Sequence, residues 1–183
     1  KSVLVERQDT RAAVGGTGGV KAAGNYAASF KSLGRARALG CATSLWLDPL
    51  ESRYIEELSL MNFFAVIDGE LHTPVLKDSF LPGLTRRSVL AIAVHHGIKV
   101  VETRIDINEL LAQITDGRCT EIFSTGTAAV ISPVRSFKEA DGSEFLISEE
   151  SGPVTRKLRQ HLVGIQEGTH EDIFGWMHTV AEK

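Results

Sequence analysis

The apolar residues of this chain recur with two different spacings, which separate predicted strands from predicted helices. Residues 2–6 place Val3 and Val5 on one face, the two-residue period of a β-strand. Other short runs are rich in the β-branched and aromatic residues that strands favour. Strands are predicted over residues 2–6, 44–48, 53–58, 62–67, 98–104, 119–124 and 128–134, and through Leu71 and Thr73.

Helices are predicted where a capping residue precedes an apolar stripe and a glycine or proline marks an end. Thr85 is placed to cap a helix that Gly97 ends, and Asp106 with Glu109 three positions later resembles a capping box. Helices are predicted over residues 24–39, ended by Gly40; over residues 86–96; through Leu110, Leu111 and Ile114; and from Pro153 with a stripe of Val154, Leu158, Leu162 and Ile165.

Turn signals join these elements into a mixed fold. Asp68-Gly69 and Asp141-Gly142 are typical of tight hairpin turns, and Pro82-Gly83 breaks the chain before a helix. Because hairpins and helices alternate along one chain, the expected class is α/β or mixed α+β, with a mixed sheet and packed helices.

Composition and charge narrow the function. Hydrophobic residues make up 43% and charged residues 23%, as in globular proteins. The net charge of −3 predicts no nucleic-acid partner, since such proteins usually carry a basic surplus. No apolar run approaches the ~18 residues of a membrane span, so no membrane partner is expected. The first fifteen residues do not resemble a signal peptide, so we expect a cytoplasmic protein, with an organellar location left open.

The cysteines and histidines predict no metal site. Cys41 and Cys119 lie far apart along the chain and are interpreted as buried thiols of a reducing compartment, with a disulfide between them left open. The histidines have no ligand spacing along the chain and are interpreted as structural or solvated. They are His72, His95, His96, His161, His170 and His178.

The glycine run over residues 15–19 is the most informative motif. It is not a phosphate-binding P-loop, because Val20 separates Gly19 from Lys21 and no Ser or Thr follows the lysine. The dinucleotide fingerprint also fails, because Lys21 takes the place of its third glycine. What remains is a lysine in an uncrowded turn ahead of a helix, suited to Schiff-base formation with an aldehyde cofactor, or simply a solvated surface lysine.

A pyridoxal phosphate site makes two further demands that the sequence can meet. The phosphate requires backbone N–H groups, which the turns at residues 82–85 and 124–128 can supply. The pyridine nitrogen requires a carboxylate. Glu56 and Glu57 are adjacent on a predicted strand, so only one of them can face the cofactor.

Five motifs, in one order, resemble a known family. They are Gly15-Gly16-Thr17-Gly18-Gly19-Val20-Lys21 with Gly24-Asn25-Tyr26; Leu45-Trp46-Leu47-Asp48; Glu57 with Met61-Asn62-Phe63-Phe64; Leu81-Pro82-Gly83-Leu84-Thr85-Arg86; and residues 126–134. The chain resembles the C-terminal, larger part of branched-chain amino acid aminotransferases, pyridoxal phosphate enzymes of fold type IV. The resemblance implies the mixed sheet or pseudo-barrel of the D-amino acid aminotransferase-like large domain.

The resemblance also implies a role for each matching residue. Lys21 would carry pyridoxal 5'-phosphate as a Schiff base and move the α-proton. Tyr26 would bond the phenolic oxygen of the cofactor, and Glu57 its pyridine nitrogen. The phosphate would be bound by Leu84, Thr85 and Thr127, and the substrate carboxylate by Thr127 and Ala128. The implied reaction is transamination of leucine, isoleucine or valine with 2-oxoglutarate.

Two departures from the family pattern affect these expectations. Ser59 and Leu60 stand where relatives have a glycine and a small residue, and Leu60 lies near the substrate in relatives. The whole chain, residues 1–183, would be the cofactor-binding domain, with the N-terminal small domain absent from it. That domain and a second copy of the enzyme, as a homodimer, are the expected protein partners, and the isolated chain is expected to be poorly active.

Other functions remain open on the sequence alone. One is a D-amino acid aminotransferase or aminodeoxychorismate lyase of the same fold type. The other is a non-catalytic fragment that dimerises.

Overall fold

The fold is described by a computed structural model for residues 1–178 and Val180. The helices are α1 (Gly24–Ala27), α2 (Ser29–Ala38), α3 (Leu84–His95), α4 (Ile107–Thr115) and α5 (Pro153–Gln166). The strands are β1 (Ser2–Glu6), β2 (Thr43–Leu47), β3 (Ile55–Leu58), β4 (Met61–Ile67), β5 (Glu70–Pro74), β6 (Val100–Thr103), β7 (Cys119–Gly126), β8 (Val130–Pro133), β9 (Ser136–Lys138) and β10 (Glu144–Leu146).

The strands form one mixed sheet, which confirms the predicted class. Its main path runs β10-β9-β1-β2-β3-β4-β5-β6, and β7 with β8 branches from β4. The β1–β2, β1–β9 and β5–β6 pairs are parallel, and the others are antiparallel. Strand β4 therefore pairs with three strands, with β7 along one edge and with β3 and then β5 along the other.

Strand β4 also contributes to both hydrophobic cores. Phe63, Ala65 and Ile67 pack in the core that contains helix α4. Phe64 and Val66 point the other way and pack in the core formed with α3 and α5. Successive side chains of a strand point to opposite faces, so a strand buried on both faces is apolar at nearly every position.

Most local predictions are confirmed. The Asp106 carboxylate accepts hydrogen bonds from the N–H groups of Asn108 and Glu109 and so caps α4. Gly97 and Gly142 have positive φ angles, as expected after a helix and in a hairpin turn. Cys41 and Cys119 are buried free thiols.

Two expectations need correction. The predicted helix over residues 24–39 consists of two short helices that meet at Ala28. Thr85 does not cap α3, because the helix begins at Leu84, two residues before the predicted start, and Gly83 is its N-cap. Three histidines that have no ligand spacing along the chain, His95, His96 and His161, lie together in space.

Within the described part of the chain, no helix has the length and apolar character needed to cross a membrane.

The buried Glu121 on β7 fixes the start of α5. Its carboxylate accepts hydrogen bonds from the N–H groups of Val154 and Thr155, at 2.9 and 2.8 Å, and from the Thr155 hydroxyl at 2.6 Å. A Cβ on Gly152 would lie 2.0 Å from the Glu121 Cδ atom, so the helix start packs directly on this carboxylate. A carboxylate at a helix N-terminus is also favoured by the helix dipole.

The Glu121→Gln variant should therefore lose stability. The glutamine side chain carries no charge and places an NH₂ group against the N–H donors of the helix. We therefore expect the unfolding free energy to fall by about 1–3 kcal/mol. Urea denaturation measures this loss, with exposed Glu150→Gln as the control that stays within ~0.5 kcal/mol of the parent. Equal stability of the two variants would contradict this account of the helix start.

Candidate active site

All seven residues to which the resemblance gave a role line one open cleft of about 550 Å³. Lys21 and Tyr26 come from the glycine loop and α1, Glu57 from β3, and Leu84 and Thr85 from the start of α3. Thr127 and Ala128 come from the turn that joins β7 to β8. The size suits a small-molecule ligand.

A row of polar residues crosses three neighbouring strands at the base of this cleft. The strand register pairs Glu57 on β3 with Asn62 on β4, and Asn62 with Thr125 on β7. Directly opposite residues point to the same face of a sheet, so the three side chains project together. Glu56, the neighbour of Glu57, projects away and accepts a 2.6 Å hydrogen bond from the Ser79 hydroxyl. Alternation thus separates the two glutamates as predicted.

Glu57 is buried, and its ionisation is perturbed. Only 3% of the residue is exposed, and this desolvation raises its pKa to about 7, although the nearby Arg11 guanidinium opposes the rise. The cleft therefore holds a carboxyl group that exchanges its proton near neutral pH.

Arg11 is the main site residue that the sequence reasoning missed. Its Nε atom lies 2.5 Å from the Glu57 carboxylate, and its Nη2 group donates to the Ser79 carbonyl at 2.5 Å. The residue is itself buried and lines the cleft. The sequence feature that could have indicated Arg11 is its position as a charged residue directly before residues 12–14, which are apolar, and the glycine run.

Close packing explains the glycine loop. A Cβ on Gly18 would lie 2.1 Å from the Ser79 carbonyl oxygen, and one on Gly19 would lie 3.0 Å from that of Asp78. The Asn25 side chain then ties the loop together, since its amide donates to the Thr17 and Val20 carbonyls at 2.7 and 2.8 Å. The loop thus carries Lys21 on a backbone held against the segment that follows β5.

The N-terminus of α3 forms another wall of the cleft. The Asn62 amide donates to the Leu81 carbonyl at 2.8 Å, and its Oδ1 atom would lie 2.3 Å from a Cβ on Gly83. No side chain caps the helix at Gly83. The first N–H groups of a helix have no intrahelical partner, so this end of α3 offers free donors and a partial positive charge to an anion. The Thr125 hydroxyl, also on the cleft, is buried without a hydrogen-bond partner.

Ser59, one of the two departures from the family pattern, has an unusual backbone conformation. Its φ of 60° lies in the left-handed region that favours glycine, so a glycine would fit this position with less strain. Leu60 is 43% exposed and lines the cleft. Its side chain therefore occupies space that a small residue would leave open.

Comparison with known proteins identifies the family. The sequence profile of the amino-transferase class IV family matches residues 6–137. The chain belongs to this family. It is 45% identical over 179 residues to branched-chain-amino-acid aminotransferase 2 of Bacillus subtilis, covering 98% of this chain and 49% of that protein. It is 46% identical over 181 residues to the branched-chain-amino-acid aminotransferase of Mycobacterium tuberculosis, covering 96% and 49%.

Solved aminotransferase structures share the fold. A branched-chain amino acid aminotransferase of Escherichia coli superposes with a TM-score of 0.81 at 36% identity, covering 96% of this chain and 54% of that one. The T.th. branched-chain amino acid aminotransferase, solved with pyridoxamine 5'-phosphate, gives a TM-score of 0.80 at 29% identity, covering 96% and 53%. The chain spans about half the length of the curated relatives it matches.

The Gly18→Ala variant should be destabilised by about 1–3 kcal/mol, because its Cβ forces the glycine loop away from Ser79. Gly34→Ala is the matched control. Gly34 lies in α2 with open space around it, so alanine there should be neutral or stabilising by up to ~1 kcal/mol. Thermal denaturation of both variants measures the contrast, and equal melting temperatures would contradict the close packing.

The Glu57→Gln variant should change how stability depends on pH. The folded-state pKa of about 7 lies above the unfolded value of 4.5, so the contribution of Glu57 is complete below about pH 4.5 and is lost as pH rises through 7. Between these values the unfolding free energy of the parent should fall by up to ~3 kcal/mol more than that of the variant. Urea denaturation across this range, without added cofactor, measures the difference. Parallel pH profiles would contradict the raised pKa.

Proposed function

We propose that this chain is the C-terminal, cofactor-binding part of a branched-chain-amino-acid aminotransferase that uses pyridoxal 5'-phosphate. The observation that supports it most is one cleft that combines a lysine amine, a buried carboxyl group and an uncapped helix N-terminus. The relatives at 45% and 46% identity bear that enzyme name.

The residues of the cleft fit this cofactor. The free N–H groups at Leu84 and Thr85, with the hydroxyls of Thr85 and Thr127, suit a phosphate. The unpartnered Thr125 hydroxyl, at the base of the cleft, is a further donor. Glu57 suits the pyridine nitrogen, because a carboxyl group with a pKa of about 7 can share a proton with it.

When bound, pyridoxal phosphate supplies an electron sink that makes the Cα–H bond of an amino acid labile. The chain would then supply the groups that hold the reactants and move the proton. Lys21 would bind the cofactor and act as the base and acid at Cα. Tyr26 would bond the phenolic oxygen, and the N–H groups at Thr127 and Ala128 would hold the substrate carboxylate.

The substrate class and the partners belong to the same proposal. The names of the relatives support branched-chain amino acids as substrates. The resemblance of this chain's motifs to that family implies leucine, isoleucine and valine, with 2-oxoglutarate as acceptor. The remaining half of such an enzyme, its N-terminal domain, would cover the open cleft, and a homodimer would complete the substrate pocket. A cytoplasmic location fits the same assignment.

Chemical labelling of Lys21 tests the cofactor site. We expect the chain incubated with pyridoxal phosphate to develop the visible absorbance of a lysine-bound cofactor. Borohydride reduction followed by peptide mapping should then place the label on Lys21. The Lys21→Ala variant should lose the band, whereas Lys99→Ala should keep it, because Lys99 is an exposed lysine paired with Glu70. Absence of the band from the parent, or a label spread over surface lysines, would contradict the site.

Substrate assays separate the alternatives once the chain is joined to its N-terminal part. Turnover of L-leucine supports the proposal. Turnover of D-alanine or aminodeoxychorismate instead would indicate another enzyme of the same fold type, and labelling without any turnover would favour a non-catalytic role.

A further inference from the structure

A second group of reactive side chains lies at the far end of α3 from the cleft. His95 closes α3, and His96 is its C-cap. His161 projects from α5, which packs against α3 in the core shared with β4. One nitrogen of each of the three imidazoles lies within 4.8 Å of one nitrogen of the others. The cluster is therefore formed by tertiary packing of two helices.

The geometry of this cluster is close to that of a metal site. Zinc–imidazole bonds are 2.0–2.1 Å long, so the ligand nitrogens of a tetrahedral site are about 3.3 Å apart. The His96 Nε2 and His161 Nδ1 atoms are 2.9 Å apart and share a hydrogen bond, whose proton a metal ion would replace. Bringing His95 in from 4.8 Å or less requires a side-chain rotation, which its exposed position allows.

The electrostatic surroundings of the cluster act in two directions. The C-terminal end of α3 carries a partial negative charge, which favours a bound cation. The positive charge of Lys157, which acts on His96, opposes it.

Neighbouring residues cover part of the cluster. His161 Nε2 is buried without a hydrogen-bond partner. The His170 ring lies 5.8 Å from the His161 ring, and Phe174 lies 6.0 Å from His95, both measured between ring centroids. The contact of His170 with Gly164 leaves no room for a Cβ at that glycine, so this segment packs tightly over α5.

We propose that His95, His96 and His161 form a binding site for a borderline divalent transition-metal ion, of which Zn²⁺ is the representative. All three ligands are imidazoles, which suit zinc, nickel and copper rather than calcium or magnesium. The 12 residues of α3 are about 18 Å long and separate this site from the cleft, so the ion would tie the end of α3 to α5 and take no part in the chemistry at Lys21. This site does not depend on the proposed transaminase function.

Titration of the full chain, without a histidine tag or cofactor, with Zn²⁺ in a calorimeter tests this site. We expect saturable binding of one ion per chain. His161→Gln and His96→Gln should each weaken it at least tenfold, whereas His72→Gln should not change it. His72 is a suitable control because it lies on β5 beside Glu70, outside the cluster.

Substitution with Co²⁺ gives a second readout that does not depend on affinity alone. We expect visible d–d bands of nitrogen-bound cobalt in the parent and in His72→Gln, and their loss in His161→Gln. Circular dichroism and the melting temperature in EDTA show whether each variant is folded. If one variant fails to fold, the other is used for the comparison. No saturable Zn²⁺ binding by the parent, or equal affinity in all folded variants, would overturn the proposal.

Discussion

The burial of strand β4 on both faces is the constraint on which the rest of the structure depends. Its odd and even apolar residues belong to different cores, and its two edges are shared among three strands. Phe64 also stacks on Phe123 of β7 with ring centroids 5.1 Å apart. Because a shift of one residue would exchange the two faces, the register of β4 is strongly specified. That register aligns Glu57, Asn62 and Thr125 at the cleft.

The cleft depends on this register through one buried ion pair and one side-chain amide. Arg11 joins the Glu57 carboxylate to the Ser79 carbonyl, and Asn62 joins β4 to the turn before α3. A buried pair stabilises little in total, but removal of one partner typically costs about 3–5 kcal/mol because the other charge is left buried. The contacts of Arg11 and Asn62 therefore fix the distance between the walls of the cleft more than they stabilise the fold. A rigid sheet thus positions backbone donors and a lysine that lie on turns.

The sequence predicts the local features of this fold well and the non-local ones poorly. The Asp106 cap and the two Asp-Gly hairpins depend on residues close in the chain, and the structure has them. Helix α3 begins at Leu84 after a turn that Asn62 of β4 contacts, and no side chain caps it, so local capping rules wrongly favoured Thr85. The row of polar residues in the cleft depends on strand register, which local sequence patterns do not predict. For Glu57, the order of the motifs shared with a known family supplied the prediction instead. Arg11 had no such motif, and its partners lie in β3 and in the loop after β5.

Helix α3 connects the two sites and explains why they have opposite chemistry. Its uncapped N-terminus faces the cleft and favours an anion, whereas its C-terminus carries the imidazoles and favours a cation. Each preference decays within a turn, and about 18 Å of helix lies between the two ends. The helix dipole therefore does not couple the sites. Any coupling has to pass through the packing of α3 on α5, where Val89 and Ile92 belong to the same core as Leu158 and Leu162. That core is fully buried and close-packed, so an ion held at one end of α3 would restrain the helix as a rigid body without altering the donors at the other end.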